Sequence, residues 1–207
     1  MKRLSFLVVS VFSATLLIAQ PSVTLLTFGG HAFADRFNFN LTNGFYGNGR
    51  IEEGFQWGAG LELAVSEESA LELVYQNMKA DVSLQGQIDR YQGIVGINYL
   101  MIGGTRYALV NEKVAGFGSL DIGASWGNPD ENFQSDGTTK FAWGGRLGVR
   151  VKATEQVSLR IHAQLLSPVQ WAGAGFFFGT GGASAGVTTG STIYQFSLGG
   201  SLNYKLR

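Results

Sequence analysis

The chain has 207 residues, equal numbers of acidic and basic side chains, and no cysteine, so it can hold neither a disulfide nor a thiolate metal site. Only 14% of its residues are charged, well under the roughly 25% usual for a soluble domain, and nothing resembles the basic patch a nucleic-acid partner needs. Thirty glycines against three prolines suit close strand packing and tight turns.

Residues 1–19 read as a secretory signal peptide. Lys2 and Arg3 form the charged head, Leu4–Ile18 the apolar stretch, and Ala19 the small residue before the cut. The apolar run is shorter than the roughly 20 residues a helix needs to span a bilayer. With no cysteine after it, a lipoprotein anchor is excluded. Residues 20–207 then form one domain, and losing Lys2 and Arg3 leaves it slightly acidic.

Eight strands are expected. The clearest is Phe55–Val65, where Phe55, Trp57, Ala59, Leu61, Leu63 and Val65 share one face, and Gln56 and Glu62 lie on the other. The strand before it, Val23–Phe33, is expected to turn Leu26, Phe28, Gly30 and Ala32 outward, in the least clear phase of the eight. Ala70–Asn77 turns Leu71, Leu73 and Tyr75 out and Glu72, Val74 and Gln76 in. Tyr91–Leu100 is assigned Tyr91, Gly93, Val95, Ile97 and Tyr99 outward. Ala115–Trp126 sets Leu120, Ile122, Ala124 and Trp126 against Ser119, Asp121 and Ser125. Phe141–Lys152 sets Phe141, Trp143, Leu147, Val149 and Val151 against Arg146 and Arg150. Val157–Leu166 sets Leu159, Ile161 and Leu165 against Arg160, His162 and Gln164. Thr192–Leu206 closes the set with Tyr194, Phe196, Leu198, Leu202, Tyr204 and Leu206 outward.

One face of each strand wants hydrocarbon and the other tolerates charge. Behind an export signal, that pattern describes an all-β, antiparallel, up-and-down barrel in a bacterial outer membrane, apolar outside and polar inside. Connections alternate accordingly. Ser66–Ser69 and Ala153–Gln156 are short, whereas Ala34–Gly54, Met78–Arg90, Gly127–Lys140 and Ser167–Ser191 are long. Met101–Val114 breaks the rhythm and is expected either to lengthen two strands or to hide a further hairpin, making ten strands. A soluble sandwich or lipocalin-like barrel shares the alternation, with the apolar face inside. The aromatic residues decide against it. Phe33, Phe55, Trp57, Tyr75, Tyr91, Trp126, Phe141, Trp143, Tyr194 and Phe196 fall at one set of strand ends, and Tyr99 and Tyr204 at the other, as two interfacial girdles.

The whole domain resembles the small outer-membrane β-barrel family of the OmpA transmembrane domain and OmpX-like proteins. The carriers are the signal peptide, the strand rhythm and the segment Tyr194–Arg207, which is similar to the family's closing assembly signal but ends in Arg207 rather than Phe. The resemblance implies fold and place more than function.

The inward phase collects Glu62, Glu72, Asp121, Arg146, Arg150, Arg160 and His162. An eight-stranded barrel has room inside only for its own side chains. Three acids and three arginines can neutralise one another there, forming a plug or, if the pairs switch, a gate. Lipid-modifying barrel enzymes are of similar size. However, a deacylase-type His-x-Ser is missing because Gln164 follows His162, and His31 with Ser135-Asp136 makes a weak set, so no catalytic residues, metal ligands or cofactors are assigned. In the last long connection Trp171, Phe176, Phe177 and Phe178 form an aromatic patch, joined by Phe37, Phe39, Phe45 and Tyr46 of the first. Asn40-Leu41-Thr42 matches a glycosylation sequon without consequence in a bacterium. The expectation is a monomer in outer-membrane lipid, structural or surface-interacting through its long outer loops. A narrow, porin-like channel for small or apolar solutes is the alternative, and a lipid-modifying enzyme the third reading.

Overall fold

A computed structural model describes residues 22–40, 46–85, 90–129, 139–169 and 193–206. The predicted signal peptide, Ser135-Asp136 and the patch of Trp171 and Phe176–Phe178 lie outside them.

Ten strands form one antiparallel sheet: β1 (Val23–Ala32), β2 (Asp35–Asn40), β3 (Tyr46–Ile51), β4 (Gly54–Ala64), β5 (Ser69–Gln85), β6 (Arg90–Leu109), β7 (Val114–Pro129), β8 (Thr139–Lys152), β9 (Val157–Pro168) and β10 (Gln195–Lys205). Eight of them close a barrel, because β1 pairs with both β4 and β10, and β5 pairs with β6. The two extra strands come from the first long connection rather than from residues 101–114. Asp35 faces Ile51 in the same register in which Ala32 faces Gly54, so β2 and β3 continue the β1–β4 hairpin past the barrel rim. On the β5 side, Glu52 and Glu53 together oppose Asp81, a bulge at which Glu52 N–H donates to Asp81 O at 2.8 Å.

The stagger follows from the register. Cα partners run from Thr24 through Glu62, Glu72, Gly103, Asp121, Gly144 and Leu166 to Gln195. They return to the first strand's line at residue 34, ten residues beyond Thr24, since Ala32 faces Ser197. With about 3.3 Å per residue and about 4.8 Å between strands, that shear tilts the strands by about 40°.

Three connections at the end where β1 begins and β10 ends are four-residue turns, each held by a polar side chain. Ser66 Oγ accepts from Glu68 N, Asn111 Oδ1 from Lys113 N and Val114 N, and Thr154 Oγ1 from Gln156 N and Val157 N. This is the periplasmic end of such barrels. Residues Met101–Leu109 therefore belong to the 20-residue β6, and the turn between β6 and β7 is short. The connection expected over Met78–Arg90 is mostly paired strand as well, with Gln85 opposite Arg90.

The outside is apolar. Leu120 and Ile161 are each 76% exposed and Leu147 72%, among apolar side chains exposed on all eight barrel strands, a surface soluble monomers rarely carry. Charged outward side chains keep to the rims, with Arg106 Nη2 3.3 Å from Glu68 Oε2 at the turn end and His31 Nε2 3.5 Å from Glu53 Oε2 at the other. In the outer girdle, aromatic side chains pack against one another across β4, β5 and β7. Trp57 packs edge-on to Tyr75, Tyr75 lies beside Trp126, and Tyr75 Oη donates to Asn98 Oδ1 at 2.8 Å.

Two strand phases differ from expectation. In β1, Leu26, Phe28 and Ala32 are buried inside while Leu25 and His31 face out. In β6, Val95, Tyr99 and Met101 are inside while Ile94, Leu100 and Ile102 face out, so Tyr99 is a lumen residue and not part of a girdle. The side chain of Tyr91 lies outside the described residues. Both strands are apolar on both faces, and the pairing of Leu73 with Ile102 and of Leu26 with Asn203 fixes the phase.

Candidate functional site

The lumen is the one enclosed chemical environment among the described residues, and it is layered. Nearest the periplasmic mouth is a charged layer. Register places Glu62 of β4 directly beside Glu72 of β5, two acids abreast on the inner face. Like charges so placed repel unless cations intervene. Arg146 of β8 and Arg160 of β9 supply them from across the barrel. Arg146 Nη2 lies 2.7 Å from Glu72 Oε2 and 3.0 Å from Asp121 Oδ1. Arg160 Nη1 lies 3.0 Å from Glu72 Oε1, and its Nη2 donates to Glu62 and to the Tyr107 hydroxyl. Glu72 therefore bridges both arginines and also accepts from Thr105 Oγ1 at 2.6 Å. Tyr107 Oη donates to Glu62, and Ser119 Oγ to Asp121 at 3.3 Å.

Glycine makes the layer fit. Gly103 faces Asp121 across the β6–β7 ladder, and a Cβ there would run into the Asp121 carboxylate. Gly148 faces His162, whose Cβ a methyl on Gly148 would meet at 2.8 Å. Glu72, Arg146 and Arg160 are almost wholly withdrawn from solvent. Ions so placed persist only when pairing and hydrogen bonds offset the loss of hydration.

Arg150 and His162 stand apart from this ion-pair set. The Arg150 guanidinium carbon sits 3.9 Å from the Tyr107 ring centroid, and among the described residues it makes no ion pair. His162 is packed edge-on to Phe28 and Phe117, at ring distances of 6.1 and 6.4 Å, with no partner for Nδ1 among the described residues.

Above the charged layer is an amide layer. Gln76 and Gln164 exchange reciprocal hydrogen bonds of 3.0 and 2.7 Å across the lumen, and Gln56 Nε2 donates to Gln76 Oε1 at 2.8 Å. Toward the outer mouth the lining is mostly apolar, with Ser125, Lys140 and Gln195 buried there as well. Met78, Ala32, Ile51, Ala80 and Ile193 form one cluster, and Tyr99, Met101, Ala142 and Leu166 another. Sequence reading missed Tyr107 and Thr105, which lay in the stretch taken as a connection, and the amide pair, whose members are 88 residues apart.

On the periplasmic side the charged layer is the floor of an open vestibule of about 1060 Å³, bounded by the three turns. No cluster of metal-ligating side chains occurs among the described residues.

No family model matches the chain, and no curated protein sequence does. Solved structures do. Neisserial surface protein A superposes with a TM-score of 0.60 at 10% identity over 89% of this chain and 97% of that one. Outer membrane protein AlkL, solved in DMPC lipid bilayers, superposes with a TM-score of 0.52 at 14% identity over 89% of this chain and 91% of that one. With the apolar exterior, the closed eight-strand wall and the short-turn end, these likenesses show the fold: a small transmembrane β-barrel of the bacterial outer-membrane type, seated in lipid.

Proposed function

We propose that this outer-membrane barrel works from its outer surface, as a structural or surface-interaction protein, with its lumen closed by paired charges. The observation that carries this reading is the Glu62–Arg160–Glu72–Arg146–Asp121 chain, which crosses the lumen between β4–β5 and β7–β9 and leaves its arginines almost without solvent exposure. A second feature supports it. β2, β3 and the far ends of β5 and β6 lift one side of the wall beyond the rim, giving the outer connections a rigid ledge. The loop aromatics Trp171, Phe176, Phe177 and Phe178 are then the contact surface for a surface partner. No catalysis is assigned, and the working unit is a monomer.

The test is a Phe176→Ser/Phe177→Ser/Phe178→Ser triple variant displayed on cells. Binding to other cells or surface molecules should fall while the folded fraction stays the same. Unchanged binding would remove the loop from the account. The alternative, passage of small apolar solutes, draws support from the apolar lining of the outer lumen around Met78 and Ile51. Uptake of an apolar solute by liposomes holding the protein, above that of empty liposomes, would favour it.

A further inference from the structure

The periplasmic vestibule has features that a plug does not require. Its walls carry both signs. Lys113, Arg150 and Lys152 and, at the end of β10, Lys205 bring cations, and Glu67, Glu112 and Glu155 bring acids from the three turns between them. At the floor, every lumen acid is already engaged by Arg146 or Arg160. Arg150 is not. It lies directly opposite Arg160 in the β8–β9 ladder, so no acid faces it across the strand pair. Its guanidinium is laid flat against Tyr107, and its Nε is buried with no hydrogen-bond partner among the described residues. A guanidinium that lines a cavity and has no acid partner is suited to a planar oxyanion, which it can grip with two parallel hydrogen bonds.

We propose that the vestibule binds the carboxylate of a small zwitterionic solute, an amino acid or the C-terminal end of a short peptide. Arg150 holds the carboxylate, and the ligand's ammonium meets the acids of the turns, Glu67, Glu112 and Glu155. The presence of both signs around the mouth selects this class. A phosphate or polyanion would gain at Arg150 but meet the acids at the mouth, and a cation would meet Arg150 and Lys152. The volume, about 1060 Å³, holds a short peptide with room for water. The site faces the periplasm, so it is independent of any role the outer loops play.

The experiment is isothermal titration of the whole refolded barrel in dodecyl maltoside micelles, a neutral detergent. The probes are tri-alanine, tri-alanine amide, N-acetyl tri-alanine and inorganic phosphate. Tri-alanine should bind at one site. Removing its carboxylate as the amide, or the guanidinium by Arg150→Gln, should each weaken binding by about tenfold or more, the loss expected for a charge-assisted pair. The N-acetyl peptide should bind several-fold more weakly, and phosphate more weakly than tri-alanine. Equal binding of peptide and amide, phosphate binding as tightly as peptide, or no peptide binding at all would each overturn the proposal. If Arg150→Gln does not refold, Lys152→Gln/Lys205→Gln replaces it. These residues lie at the mouth away from the ion-pair layer, and a several-fold loss is expected. Unchanged affinity in a folded Lys152→Gln/Lys205→Gln barrel would equally overturn it.

Discussion

The two ends of the lumen solve the same packing problem with opposite chemistry. Toward the periplasm the interior is filled by five interlocked ions, and toward the outside mainly by Met78, Tyr99, Met101 and Leu166, with Ser125, Lys140 and Gln195 among them. The apolar end gains its stability from surface removed from water and tolerates changes of shape. The charged end gains little from each pair once desolvation is counted, yet it is unforgiving of a missing partner. The charged layer therefore specifies a single arrangement, and the apolar layer fills space.

The largest expected effect comes from breaking the charged end at its hub. Glu72→Ala takes one of its two acid partners from each of Arg146 and Arg160 and leaves Thr105 without its acceptor, at a cost of about 3–5 kcal/mol. Urea unfolding in lipid vesicles reads this directly. A loss under about 1 kcal/mol would mean that water already hydrates the arginines. At the apolar end, Met78→Ala should cost about 2–4 kcal/mol through the cavity left beneath Ala32 and Ile193, measured the same way. If the two substitutions are combined, their costs should add, because no ion of the charged layer touches the apolar cluster.

Between the two lies the amide layer. Gln164→Ala leaves Gln76 with its Gln56 contact alone and should cost about 1–3 kcal/mol. The smallest effect belongs to the rim. Arg50 Nε and Glu52 Oε1 are 2.8 Å apart but both side chains are more than a third exposed, so Arg50→Ala should change stability by under about 1 kcal/mol, less in high salt. A larger, salt-insensitive change would show that the β2–β3 ledge is part of the cooperative fold.

The same contrast explains what the sequence could and could not convey. Where the inner face is polar, alternation sets the phase unambiguously. Glu62, Glu72, Asp121, Arg146 and Arg160 all lie inside as their strands' patterns imply. Where the inner face is apolar, period two carries no sign. Leu25 and Leu26, or Leu100, Met101 and Ile102, read equally well either way, and only pairing with neighbouring strands places Leu26 and Met101 inside. The ion-pair partners were legible as a set but not as pairs, since which arginine reaches Glu72 depends on the barrel's shear, a property of all eight strands together. Arg150 shares the phase of Arg146 but lies four residues nearer the turn end of β8, where its guanidinium meets the Tyr107 ring instead of the acids.

The claim that the charged layer closes the lumen is tested most directly by single-channel conductance in planar bilayers, comparing the native barrel with a Glu72→Ala/Arg146→Ala variant whose folding is checked by circular dichroism. The native protein should pass no steady ion current, and the variant, with the hub and its principal partner removed, should conduct. A native barrel that conducts ions steadily, at a level the double substitution does not change, would contradict the account.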